Sequence, residues 1–249
     1  MPLPLSQFLQ IADSAFPTGA FAYSSGLEAL ARAGRFPSLH ALEEYFEAHL
    51  RQAGEFDLAF VAAAHDEAAH DPVAFEALCA EWDATQWNTA MRTASLRQAR
   101  ALLDALGDTF PHPGIEALRS MRANQAMQEK GAHHAATTTT ATTTAAAAEN
   151  LHFALALGRA LALLGASREQ TCSLYLHGII RDQAAAAVRL GLVGPRAGQE
   201  LQARAMRGAA ERLGDGSALP APREARRTAP LVETGQGGHD FLYSRLFQN

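Results

Sequence analysis

Histidine and cysteine are the residue types best suited to metal chemistry, and this 249-residue chain has ten of the first and two of the second. His65 and His70 are the most suggestive pair, with Asp66 and Glu67 between them. Zinc-binding histidines on one helix face stand four residues apart. Here the spacing is five, which turns the two rings about 140° away from each other on a 3.6-residue repeat. His133 and His134 adjoin a run of only alanine and threonine, and Cys79 and Cys172 have no metal or redox spacing. The residues therefore predict no metal site and no cofactor. A helical metal-dependent hydrolase using His65, His70 and nearby acids is the catalytic alternative.

Other chemistries fare no better. No Gly-x-Ser-x-Gly elbow occurs, and neither cysteine has a neighbouring histidine to serve as its base. Glu43-Glu44 and Asp66-Glu67 read as solvated helix faces. Twenty of the 21 basic residues are arginine, and the single lysine, Lys130, is not in a Gly-Lys-Ser/Thr triplet. A phosphate-binding P-loop needs that triplet. With net charge −5 there is no positive field to attract nucleic acid. No basic segment precedes Arg32, and the longest apolar stretch, Phe153 to Leu164, is twelve residues with Arg159 inside. A non-enzymatic, cytoplasmic protein without membrane segments is the expectation.

Composition dictates the elements. Alanine (54) and leucine (31) dominate, whereas valine (5) and isoleucine (4) are too few for a sizeable sheet. The fold class predicted is all-α, a single multi-helix domain with short loops over residues 1–213 and a flexible C-terminal tail. Leu5, Phe8, Leu9 and Ala12 mark a first helix face. Pro17 and Gly19 punctuate a loop over 13–21. Ser24 or Ser25 caps a helix ending at Gly34, and Ser38 caps one whose buried stripe is Leu39, Leu42, Phe46, His49 and Leu50. Further helices are predicted over 55–70, 73–87, 88–106, 114–128, 151–164, 168–192 and 196–213. Residues 135–148, seven alanines and seven threonines, read as a low-complexity insertion. Gly214 to Gly238 has linker composition, and Phe241 to Phe247 forms an apolar hook. Residues 214–249 are thus read as linker and partner-docking tail.

Three stretches together carry a resemblance. They are Asp13 to Glu28, with its Pro17-Thr18-Gly19 turn and Gly26-Leu27-Glu28; Tyr175-Leu176-His177 followed by Ala187 to Gly191, Gly194-Pro195 and Gln199; and the tail His239 to Phe247. Ser95 to Gln98 and Arg100 to Leu103 add to it. In these the chain resembles the urease accessory protein UreF family over nearly its whole length. The resemblance implies a helical, homodimeric, cytoplasmic, non-catalytic chaperone. It also implies the partners UreD (also called UreH), the GTPase UreG and apo-urease, and a part in GTP-dependent nickel insertion.

Partner-binding candidates follow: Pro17, Gly19, Phe21 and Tyr23 in the N-terminal loop, Arg189 after the alanine run, and His239, Phe241, Tyr243, Ser244, Arg245, Leu246 and Phe247 in the hook. Apolar side chains at a tethered terminus either fold back or dock on a partner. Docking is the expectation here. Arg181 and Asp182, adjacent on a helix, are expected to diverge, with at least one exposed.

Overall fold

The computed structural model describes residues 1–66, 71–121, 150–213, 219–238 and 241–247. Among these residues the regular elements are all helical. They are α1 (Leu5–Ala12), α2 (Leu27–Arg32), α3 (Leu39–Gln52), α4 (Leu58–His65), α5 (Pro72–Ala84), α6 (Thr89–Thr109), α7 (113–121), α8 (Phe153–Leu163), α9 (Arg168–Arg189), α10 (Pro195–Leu213) and α11 (Pro230–Gly238). Local chemistry sets several starts. Ser38 Oγ accepts from Ala41 N (3.2 Å), Asp71 from Val73 N ahead of Pro72, and Asn88 from Ala90 N and Met91 N. Ser167 and Gln170 close a capping box at α9.

The core is built on α4 and α8. Leu58 to Ala62 and Ala64 on α4 are buried, as are Ala154 to Gly158, Ala160 and Leu161 on α8. A helix apolar all round belongs in the middle of a fold. These two pack on each other, with α9 and α6 alongside and α10 lying on α9. Phe56, Phe60 and Trp82 cluster at one end, ring centroids 5.0–5.3 Å apart. Among the described residues no helix is long and apolar enough to cross a membrane.

Three expectations change. The helix predicted over 55–70 does not start afresh: α3 runs into a π-helical turn, Ala53–Asp57, and on into α4. The Glu55 carbonyl in that turn accepts from Arg226 N (3.2 Å), tying the wide turn to the C-terminal segment. The span read as linker is also structured over 219–238. Pro222–Glu224 is a 3₁₀ turn, and α11 packs against α2, α3 and α6 with Val232, Glu233 and Gln236 buried. Pro230 at the first helical position is a start signal that the surrounding glycines concealed. Arg181 and Asp182 do not diverge: Arg181 Nε donates to Asp182 (2.9 Å), both are mostly buried, and Arg181 also donates to the Ala12 carbonyl (2.7 Å). The long guanidinium arm folds back across the backbone. The 135–148 run and His70 lie outside the described residues.

Close approach of α4 and α8 depends on Gly158, where a Cβ would overlap the Val61 carbonyl and crowd Ala64. Gly178, on α9, has open space around it. Gly158→Ala should therefore destabilise the protein by about 1–3 kcal/mol despite its better helix propensity. Gly178→Ala should stabilise it by up to about 1 kcal/mol. Urea unfolding of the two variants checks the contrast.

Candidate partner-binding site

The N-terminal loop, the end of α9 and the hook, remote in sequence, meet around Arg189. Its guanidinium carbon lies over two rings, 4.1 Å from the centroid of Phe21 and 4.2 Å from that of Phe247. It also donates to the Phe21 carbonyl at 2.7 Å. A planar guanidinium has two faces for such stacking, which an ammonium lacks. Its place in the last turn of α9 suits the negative end of the helix dipole.

The loop leading there is set by its glycines. Gly19 (φ 73°) introduces a 3₁₀ turn over Ala20–Ala22 that leaves Phe21 61% exposed. Ser25 and Gly26 both take left-handed φ, and the Tyr45 hydroxyl donates to the Ser25 carbonyl (2.9 Å), holding the pair. A Cβ at Gly26 would collide with the backbone of Gly235 and Gln236, so α2 and α11 touch there.

Beneath the tail is a carboxylate that sequence reasoning quoted but did not single out. Glu28, on α2, is fully buried, and its oxygens accept from the backbone amides of Leu246 (2.7 Å) and Phe247 (3.1 Å). Its neighbours Leu27, Ala29 and Leu30 are buried too, so the signal was an acid in the middle of an apolar helix face. The hook therefore divides. Phe247 (4% exposed) folds back, while Phe241, Tyr243, Ser244, Arg245 and Leu246 stay exposed. Pro17 and Gly19 are exposed in the loop. Tyr23, grouped with the partner-facing residues, is instead buried and lines a partly open cavity. His239 lies outside the described residues. A groove of about 890 Å³ runs beside the loop, between Pro17, Phe21, Val188, Arg189, Pro195 and Gln199.

The partly open cavity, about 160 Å³, is lined by His49, Asp57, Tyr175, Arg181 and Arg227 among others. It borders a network that sequence reasoning missed. Glu233 accepts from Gln52 Nε2 (2.8 Å), Arg227 (2.7 Å) and Trp87 Nε1 (2.7 Å), while Gln52 Oε1 accepts from Ala229 N (2.9 Å). Arg227 also stacks on Phe56, 4.3 Å from its centroid. The Tyr175 hydroxyl donates to Asp57 (3.1 Å). Burial pushes Asp57 up to about 6, against the pull of Arg227 and Tyr175. Burial pushes His49 down to about 4, against the charge of Glu233. His65 Nε2 is within 2.9 Å of the Ala166 carbonyl, linking α4 to the turn before α9. Among the described residues no three His, Cys, Asp or Glu side chains converge for a metal. His152, Asn150 and Arg92 surround Asp83; burial would raise its carboxyl, but Arg92 and His152 hold it below its ordinary value.

The two cavity groups bend stability in opposite directions. Folded Asp57 keeps its proton to about pH 6 while the unfolded chain releases it near 3.8, so its contribution falls as pH rises through that window. Folded His49 refuses a proton until about pH 4 while the unfolded chain takes one near 6.5, so its contribution rises with pH over that window. Asp57→Asn should therefore leave a stability curve that climbs from pH 4 to 6.5 more steeply than wild type, by up to about 1.4 kcal/mol per pH unit. His49→Gln should tilt it the other way. Urea titrations at several pH values check both signs; parallel curves in all three proteins would contradict the assignment.

Residues 38–206 match the family model described as UreF. The chain is 30% identical over 238 residues to urease accessory protein F of Oryza sativa subsp. indica, covering 96% of this chain and 82% of that protein. It is 30% identical over 239 residues to the Arabidopsis thaliana protein of the same name, covering 96% and 90%. Urease accessory protein UreF of Azorhizobium caulinodans is 27% identical over 236 residues, covering 94% and 90%. With the family model spanning well over half of its length and these relatives nearly all of it, the chain belongs to the UreF family.

Proposed function

We propose that this protein is a non-catalytic adaptor in urease maturation. It joins UreD/UreH to the GTPase UreG, working as a cytoplasmic homodimer, and it makes nickel delivery to apo-urease depend on GTP. The observation that carries this reading is the exposed apolar set on the tail, whose last described residue, Phe247, shares Arg189 with Phe21. Phe241 is 89% exposed, Tyr243 fully exposed and Leu246 about half exposed. The end of the tail backbone is held on Glu28 at Leu246 and Phe247, which anchors the exposed segment to the domain. Presenting a preformed apolar surface lowers the ordering cost of association. Membership of the UreF family supports the choice of partners. The absence of a Gly-Lys-Ser/Thr triplet supports GTP turnover by a partner and not by this chain.

An adaptor moves a reaction only by favouring one partner state over another. Here that selectivity is assigned to two surfaces, the tail with Phe21 for one partner and the groove beside α9 and α10 for the other. Replacing Phe241, Tyr243 and Leu246 together with serine should leave helicity and melting temperature unchanged. It should weaken capture of UreD/UreH by roughly tenfold for each true anchor, and cells relying on the variant should activate urease poorly. Wild-type capture and full activation by the triple variant would refute the assignment of the tail.

A further inference from the structure

The geometry points to the cavity lined by His49, Asp57 and Arg227 as a binding site for a small uncharged amide, a molecule of about acetamide's size. The cavity offers about 160 Å³, and one of roughly 150 Å³ accepts a benzene molecule. An amide smaller than benzene therefore fits, with room left for water. Because the cavity is partly open, a solute reaches it without unfolding the core. Trp82, Phe153 and Leu157 supply apolar surface in the same lining, suited to the flat body of such a molecule. The site is independent of which partners the protein joins.

The ligand class follows from hydrogen bonds left unmade. Buried polar groups are normally partnered, yet among the described residues His49 Nδ1 and Arg227 Nε are buried with no hydrogen-bond partner. Burial keeps His49 neutral down to about pH 4, and Asp57 is ionised above about pH 6. A guanidinium N–H only donates, an ionised carboxylate only accepts, and a neutral imidazole offers one of each. The lining thus asks for an acceptor at Arg227 and for donors at Asp57. An amide carries a carbonyl oxygen and two N–H donors on one planar frame. A carboxylate brings acceptors alone and an ammonium brings donors alone. Charge leads to the same class. Arg181 and Arg227 stand against Asp57 and Asp182 in the lining, so a ligand of either sign meets a like charge and loses its hydration without compensation.

Titration of the full chain with acetamide near neutral pH, followed by NMR at the Trp82 indole N–H, tests this. The signal should shift and saturate, with a dissociation constant on the order of 10 mM. Acetate and ethylammonium, close in size but charged, should bind at least about tenfold more weakly. A shift that stays linear to about ten times that concentration, as for a cavity holding water only, would overturn the proposal, and so would equal binding of either ion. His49→Phe keeps a ring in place and removes both nitrogens, and it should weaken acetamide by roughly tenfold. Gly178 also lines the cavity and has open space where a Cβ would stand, so Gly178→Leu should block the site while leaving every polar group in place. Melting curves establish that each variant is folded, and either one alone decides the matter if the other is not. Wild-type affinity for acetamide in a folded His49→Phe or Gly178→Leu protein would refute the assignment.

Discussion

Glu28 and Glu233 are both almost wholly removed from water, and each takes donors from distant parts of the chain, Glu28 from the tail and Glu233 from Gln52 and Trp87. A carboxylate in that position must be matched by hydrogen-bond donors or positive charge, because leaving it bare is more costly than most single contacts can offset. Glu233 is matched by Gln52, Trp87 and Arg227, which places α11 against α3 and the start of α6. Glu28 is matched by the amides of Leu246 and Phe247, which places the tail on α2. What lies beyond α10 is in this way built onto the front half of the molecule by two acids.

The functional surface is a consequence of that arrangement. A tail without a seat would present its aromatic residues in many conformations, and binding would have to order them. Seated on Glu28, it turns Phe247 inward to Arg189 and leaves Phe241, Tyr243 and Leu246 exposed. The same arginine thereby belongs to the fold and to the candidate interface at once. The cavity lined by Asp57 and His49 is a separate matter: burial holds Asp57 protonated up to about pH 6 and His49 neutral down to about pH 4, so their pH dependences oppose each other.

The helical class was legible in the scarcity of valine and isoleucine, Ser38 as a cap in its side-chain type, and the helix read over 151–164 is close to the observed Phe153–Leu163. Phe21, Arg189 and Phe247 were each singled out from sequence, but nothing in their spacing said that they touch. Long-range stacking leaves no periodic trace. Tyr23 was misplaced because an aromatic in a Pro/Gly loop reads alike whether it points in or out. The α11 segment was missed for a definite reason. Five of its nine residues are Gly, Pro or Thr, poor helix formers all, and tertiary burial of Val232 and Glu233 overrides that local preference. The π-helical turn at Ala53–Asp57 was likewise invisible, since its reason is the distant Arg226 amide that meets the Glu55 carbonyl.

The claim most open to direct attack is that the acid on α11 is a fixed part of the core and not a charge on a linker. A double-mutant cycle on Glu233→Ala and Arg227→Ala, read by urea unfolding, measures it. Each single change should destabilise by roughly 2–4 kcal/mol and the double variant should lose clearly less than the sum, as for a pair lying between exposed and fully buried. Single effects below about 0.5 kcal/mol that simply add, the behaviour of a solvated surface pair, would contradict it.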